Sequence, residues 1–271
     1  MVTSTVISAA VILLYLLTAG WLGIRIFRLR LSAEAFSHTI AALAGLALSG
    51  HGLVLYREIL VEAGLNLGFF HALSLVCWVI ALLAVLIGLY RAMSNLVVIF
   101  FPVAALALLL ESILPGTSII PGGIAAGLKM HIILSVAAYS LLTIGALQSL
   151  VLAFEETRLR NREPVKILNI LPPMQILEEL LVQTLTIGFF LLSLSLATGL
   201  MFMHDMLGQH LSHKVVLSVL AWIIFAVVLW GRWSRGWRGR KLIHWTLGGF
   251  ASLLLAYFGS KLVLELILQQ V

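Results

Sequence analysis

Eight apolar stretches of about twenty residues recur along the 271-residue chain, at about 5–24, 37–56, 68–90, 95–113, 130–153, 182–203, 214–231 and 244–266. A helix needs roughly 20 apolar residues to cross the ~30 Å hydrocarbon layer of a bilayer. Backbone inside that layer has no water to bond, so a run of this length folds as a spanning helix. The pattern predicts an all-α polytopic membrane helix bundle of about eight transmembrane helices, forming a single transmembrane domain over 1–271. The composition agrees, with 62% hydrophobic and 10% charged residues, where a soluble domain carries about 25% charged. Too little polar surface remains to coat a water-exposed globule, which excludes a soluble enzyme, a disordered chain and a nucleic-acid binder.

The cations set the orientation. The first run, Thr5 to Gly23, has no basic residue before it, and Arg25, Arg28 and Arg30 follow it. That order predicts a first span with its N-terminus outside rather than a secretory signal. Alternation then puts the connections 25–36, 91–94, 154–181 and 232–243 inside, where they hold 13 of the 17 Lys and Arg residues. Only Arg57, Lys129, Lys214 and Lys261 fall outside. Cytoplasmic loops carry the Lys/Arg excess, so both termini are expected outside. The net charge of +6 therefore expresses topology. Cys77 is the single cysteine, which leaves no intramolecular disulfide and no CxxC pair. Residues 114–128, with two Pro-Gly steps, read as an outer turn or short re-entrant segment. In 166–181, Ile167, Leu168, Leu171, Ile176, Leu177 and Leu180 approach helical spacing beside polar Glu178 and Glu179. Part of that stretch is expected in the inner interface.

Ionisable side chains inside a membrane tend to face the bundle interior and to mark function. The eight histidines are unevenly placed: His51, His71, His131, His204, His210 and His213 fall in the outer half or outer loops, whereas His38 and His244 lie near the inner face. A neutral imidazole nitrogen binds iron, zinc or copper, and a haem needs only two, one from each side of its ring. A wide apolar macrocycle suits a site between helices. The absence of thiols, with only Asp205 near the loop histidines, weakens a zinc reading. The plain alternative is that each helix-end histidine is an interfacial residue or an interhelical hydrogen-bond partner. Glu111, at the outer end of the fourth span, can pair with Lys129 or a histidine. GRWSRGWRGRKLIHW (231–245) joins arginines to Trp233, Trp237 and Trp245. It reads first as a positive-inside anchor with an aromatic belt, and second as a site for anionic lipid or haem propionates. Pro102 is expected to kink the fourth span. No P-loop, HExxH, Ser/His/Asp set or paired carboxylates occur, so no catalytic residue is assigned.

Several stretches resemble the CcsA-type cytochrome c assembly proteins. HIILSVAAYSLLTIGALQSLVLA (131–153) is similar to that family's His-x(7)-Tyr span. LPPMQILEELLVQTLTIGFFLLSLSLATGLMF (171–202) and the stretch from His213 to Gly259, with its GWRGRK and YFG, resemble the segments that follow. GLNLGFFHALSLVCWVIAL (64–82) looks like the short outer motif leading into a Trp-bearing span, here Trp78. The likeness is good over the last 140 residues and poor over the first 60. It implies a haem-handling bundle of the bacterial inner membrane, with His131 as the outer ligand at the head of its span. The family's Trp-rich outer motif should fall near 204–214, yet that loop has no Trp and offers three histidines. The tail SKLVLELILQQV lacks the histidine of full haem lyases, and Trp230 or Gly231 stands where those lyases carry one near the end of the seventh span. These departures place the chain nearer the HemX/YpjD-like branch and away from a complete haem lyase.

The resulting expectation is an inner-membrane protein that assists haem delivery in cytochrome c biogenesis. It would hold a non-covalent b-type haem through His131, with His51, His71 or one of His204, His210 and His213 as second ligand. The expected partners are haem, apocytochrome c or other membrane assembly proteins, and anionic lipid at the inner face. The alternative is a non-catalytic membrane adaptor acting through its basic cytoplasmic loops; a metal-ion transporter is the third reading.

Overall fold

The computed structural model describes residues 2–29, 38–91, 95–114, 118–121, 126–161, 174–202 and 212–259. Among them are eight helices: α1 (Val2–Leu29), α2 (His38–Ile59), α3 (Phe69–Arg91), α4 (Asn95–Ile113), α5 (Ala126–Arg160), α6 (Met174–Phe202), α7 (Ser212–Arg235) and α8 (Arg240–Leu254). A π-helical turn, Leu255–Gly259, extends α8. All eight are long and apolar enough to cross a membrane. They follow the expected runs with two overshoots. α5 has 35 residues, about 50 Å at 1.5 Å per residue, and so exceeds the hydrocarbon thickness. α6 begins at Met174 rather than near 182. In both cases carboxylates on the added turns, Glu155, Glu156 and Glu178, depress local hydropathy without breaking the helix. α4 continues through Pro102.

The chain divides into two compact units, Met1–Gly123 and Ile124–Gln270. In the first, α1 packs on α2 and α4, and α3 packs on α2 and α4. Val11, Tyr15, Thr18, Leu22 and Ile26 form the buried seam of α1, while Leu13, Leu17 and Ile24 are exposed. Nearly every position on α1 is apolar, so hydrophobicity alone does not separate these two faces. The seam carries the hydroxyls of Ser8, Tyr15 and Thr18: Tyr15 meets His51 across the interface, and Thr18 donates to the Leu14 carbonyl of its own helix.

Three short strands cap one end of this unit. β1 (Leu60–Val61), β2 (Gly64–Asn66) and β3 (Ile119–Pro121) form an antiparallel sheet in that order. Leu65 pairs with Ile120, and Asn66 with Ile119. Buried Asn66 accepts backbone N–H groups from Gly68 (3.3 Å) and Ser118 (3.1 Å). Of the 114–128 segment, the described residues supply β3 and the start of α5, while residues 115–117 and 122–125 lie outside the described residues.

In the second unit α5 packs along α6, α8 lies against α5 and α7, and α6 touches α7. Gly145 faces Leu185, and Gly188 faces Leu142, so α5 and α6 approach closely through small residues. Tyr139 anchors an aromatic cluster with Phe250, Tyr257 and Phe258.

Candidate functional site

The predicted histidines divide between the two units and differ in chemistry. His51, on α2, is wholly buried. Its Nδ1 lies 3.1 Å from the Tyr15 hydroxyl of α1 and its Nε2 2.9 Å from Ser74 Oγ of α3. A neutral imidazole has one donor and one acceptor nitrogen, and both are engaged here. Tyr15 is held edge-on to Phe101 of α4, with centroids 4.8 Å apart. His71, in the first turn of α3, is also buried, and its Nε2 lies 3.9 Å from Glu111 Oε1 of α4. The histidine partner expected for Glu111 is therefore His71. The Ser74 hydroxyl also neighbours the Glu111 carboxyl. These buried side chains tie all four helices of the first unit together through polar groups.

His131 is different. It stands in the second turn of α5 and is half-exposed. Its Nδ1 is 2.9 Å from the main-chain carbonyl of Ser195 on α6. A carbonyl only accepts, so Nδ1 carries the proton and Nε2 presents its lone pair. The one polar neighbour of Nε2 among the described hydrogen bonds is Ser135 Oγ, at 3.4 Å. That hydroxyl already donates to the His131 carbonyl at 2.6 Å and lies 2.7 Å from Ser195 Oγ. Thr198 donates to the same Ser195 carbonyl at 2.9 Å. The ring is oriented at one nitrogen and open at the other. Metal-binding histidines are commonly oriented in this way, by an N–H donated to a carbonyl from the nitrogen that does not bind, and the donor chemistry fits a haem iron.

The remaining outer histidines belong to the same unit. A Cβ on Gly127 would meet the Phe202 ring, so the start of α5 touches the end of α6. Ser195 is seven residues before Phe202, about 10 Å along the helix. His204 and His210 follow in a segment outside the described residues, and His213 is the second residue of α7. Among the described residues no group of three His, Cys, Asp or Glu could hold a metal ion, whereas haem requires only two ligands. His38 and His244 are exposed, and His244 Nδ1 contacts only its own helix at the Arg240 carbonyl, 2.6 Å.

The opposite end of the second unit holds a cluster that sequence reasoning missed. Glu178, expected on the polar side of an interfacial stretch, is buried. Its Oε1 accepts the Gly239 N–H at 2.8 Å. Its Oε2 lies 3.3 Å from Arg238 Nε and 3.8 Å from Arg232 Nη1. Arg232 also donates to the Trp237 carbonyl at 3.1 Å, and Arg240 meets Glu156 at 3.3 Å. Gly239 has φ 53° and ψ −131°, a conformation closed to residues with a Cβ. GWRGRK is thus a turn clamped onto α5 and α6. Its signal in the sequence was the pair of glycines flanking arginine, but nothing local names the carboxylate 61 residues earlier.

The model of the family described as cytochrome c assembly protein matches residues 39–268. The chain belongs to the cytochrome c assembly protein family. The match begins well before the last 140 residues, and so includes α2 with His51 and α3 with His71. The inner membrane protein YpjD of Escherichia coli K12 is 34% identical over 226 residues, covering 83% of this chain and 86% of that protein. An uncharacterized 28.8 kDa protein of Azospirillum brasilense is 32% identical over 52% of this chain and 53% of its own length. The cytochrome c biogenesis protein CcsA of Mesostigma viride is more distant, at 25% over 72% of this chain and 73% of that protein. No solved structure matches. With its eight apolar helices and its likeness to YpjD, this family member is a multi-pass inner-membrane protein.

Proposed function

We propose that this chain handles haem for cytochrome c biogenesis, holding a non-covalent b-type haem at the His131 end of its second unit. The observation that carries the reading is the His131 ring, anchored at Nδ1 by the Ser195 carbonyl and open at Nε2. Nε2 would be one axial ligand, and a histidine of the 204–213 stretch the other. A bound haem would supply the iron and the vinyl groups that an apocytochrome c partner receives. The chain's own part is to bind haem and to orient the imidazole through its Nδ1 bond to the Ser195 carbonyl. His51 is a weaker ligand candidate, because coordination would break its bond to Tyr15 or to Ser74. The family relationship and the relative named for cytochrome c biogenesis support the same reading. With the Lys/Arg excess inside, both termini and the His131 end face outward.

The test is an absorption and pyridine haemochrome spectrum of the detergent-solubilised protein. A Soret band in the wild type, abolished in His131→Ala, is expected. No Soret band after haem supplementation, or one unchanged in His131→Ala, overturns the proposal.

A further inference from the structure

The α7–α8 turn brings five cations together within ten residues: Arg232, Arg235, Arg238, Arg240 and Lys241. Glu178 pairs with Arg232 and Arg238, and Glu156 with Arg240. Arg235 and Lys241 are exposed, and among the described ion pairs neither meets a carboxylate. Both stand at the limits of spanning segments, Lys214–Arg235 and Arg240–Gly259. That is the depth at which hydrocarbon gives way to headgroups.

Exposed indoles stand within about a turn of these cations along the chain. Trp233 and Trp245 are 68% and 42% exposed. Lys241 and Trp245, four residues apart on α8, share a helix face. The Trp245 ring in turn lies 5.9 Å from Trp237. An indole suits the interface because its ring enters the hydrocarbon edge while its N–H meets headgroups. A soluble anion would use only the cations. A lipid uses both, because its acyl and glycerol segments lie beneath its phosphate.

We propose that this turn is an anionic phospholipid site. Arg235 and Lys241 hold headgroup phosphate, Trp233 and Trp245 flank the glycerol region, and the Glu178 and Glu156 ion pairs hold the turn in shape. The assignment goes beyond the haem reading and stands without it.

Native mass spectrometry of the full chain, with phosphatidylglycerol and phosphatidylcholine in competition, tests it. Each cation near a phosphate surface contributes about a fivefold preference, so Arg235→Gln with Lys241→Gln should lower the phosphatidylglycerol preference about 25-fold. The charge-preserving pair Arg235→Lys and Lys241→Arg should retain it. If the double glutamine variant does not fold, the two single variants, each losing about fivefold, carry the test. A wild type without preference, or a glutamine variant with full preference, overturns the site. Displacement of phosphatidylglycerol by millimolar inorganic phosphate would show a free-anion site and overturn the lipid assignment.

Discussion

Removing the Glu178 carboxylate should uncouple the α7–α8 turn from α6. The side chain is 6% accessible and serves three partners of unequal worth. A charge-assisted hydrogen bond such as that to the Gly239 N–H is worth about 1.5–3 kcal/mol. Arg232, at 15% accessibility, would keep its bond to the Trp237 carbonyl but lose its counter-ion. Arg238 is 60% accessible, so its share is at most about 1 kcal/mol after solvent screening. Glu178→Ala should therefore cost about 3–4 kcal/mol, within the range for breaking a buried pair from one side. Glu178→Gln can still accept from Gly239, and should cost about half as much. Reversible unfolding of the detergent-solubilised protein, followed by circular dichroism, measures both. Hydrogen exchange at the Gly239 amide reports the local event. Equal, small losses for the two variants would refute the reasoning, as would an Arg238→Ala variant less stable than Arg232→Ala.

Three further outcomes follow from the same geometry. Diethylpyrocarbonate should modify His131 and spare His51 in the folded protein, read by peptide mass spectrometry, because His51 is buried with both nitrogens engaged; equal rates would contradict this. Tyr15→Phe should cost about 1–3 kcal/mol by leaving a buried imidazole nitrogen without its partner. Tyr15→Phe and Ser74→Ala should be non-additive in a double-mutant unfolding cycle. Gly239→Ala should cost about 1–3 kcal/mol through its backbone conformation, whereas Gly248→Ala, with open space around its Cα, should be neutral or stabilising in the same unfolding assay.

The eight spans were legible because bilayer thickness imposes a length that no soluble helix must meet, and runs of eighteen to twenty-four residues declare it. The ends of α5 and α6 were not legible, because Glu155 and Glu178 look like loop residues until their burial is known, and Glu156 until its pairing with Arg240 is. The 114–128 segment reads in sequence as an outer turn or short re-entrant segment; its described residues include the strand Ile119–Pro121, and 115–117 and 122–125 lie outside the described residues. Its strand pairing depends on Gly64–Asn66 in another connection, and no local pattern in either segment announces that register.

The histidines show the same division. Sequence alone predicted that six of the eight imidazoles fall on the outer side of the membrane, because each is conspicuous against a background that has few other polar groups. The family resemblance singled out His131, but the residues alone could not say which ring nitrogens are engaged, since that depends on partners 23, 36 and 64 residues away. Tertiary structure made that decision. His51 became a buried crosslink between helices because two hydroxyls reached it. His131 became an oriented base with an open nitrogen because a helix carbonyl reached only one side of its ring. The basic residues divided likewise: their number and spacing set the expected topology, while packing decided that Glu178 and Glu156 would meet three of the five cations at the last turn. A hydrophobic span is specified by its own residues, but the chemistry of a polar residue within it is specified by whatever lies across the interface.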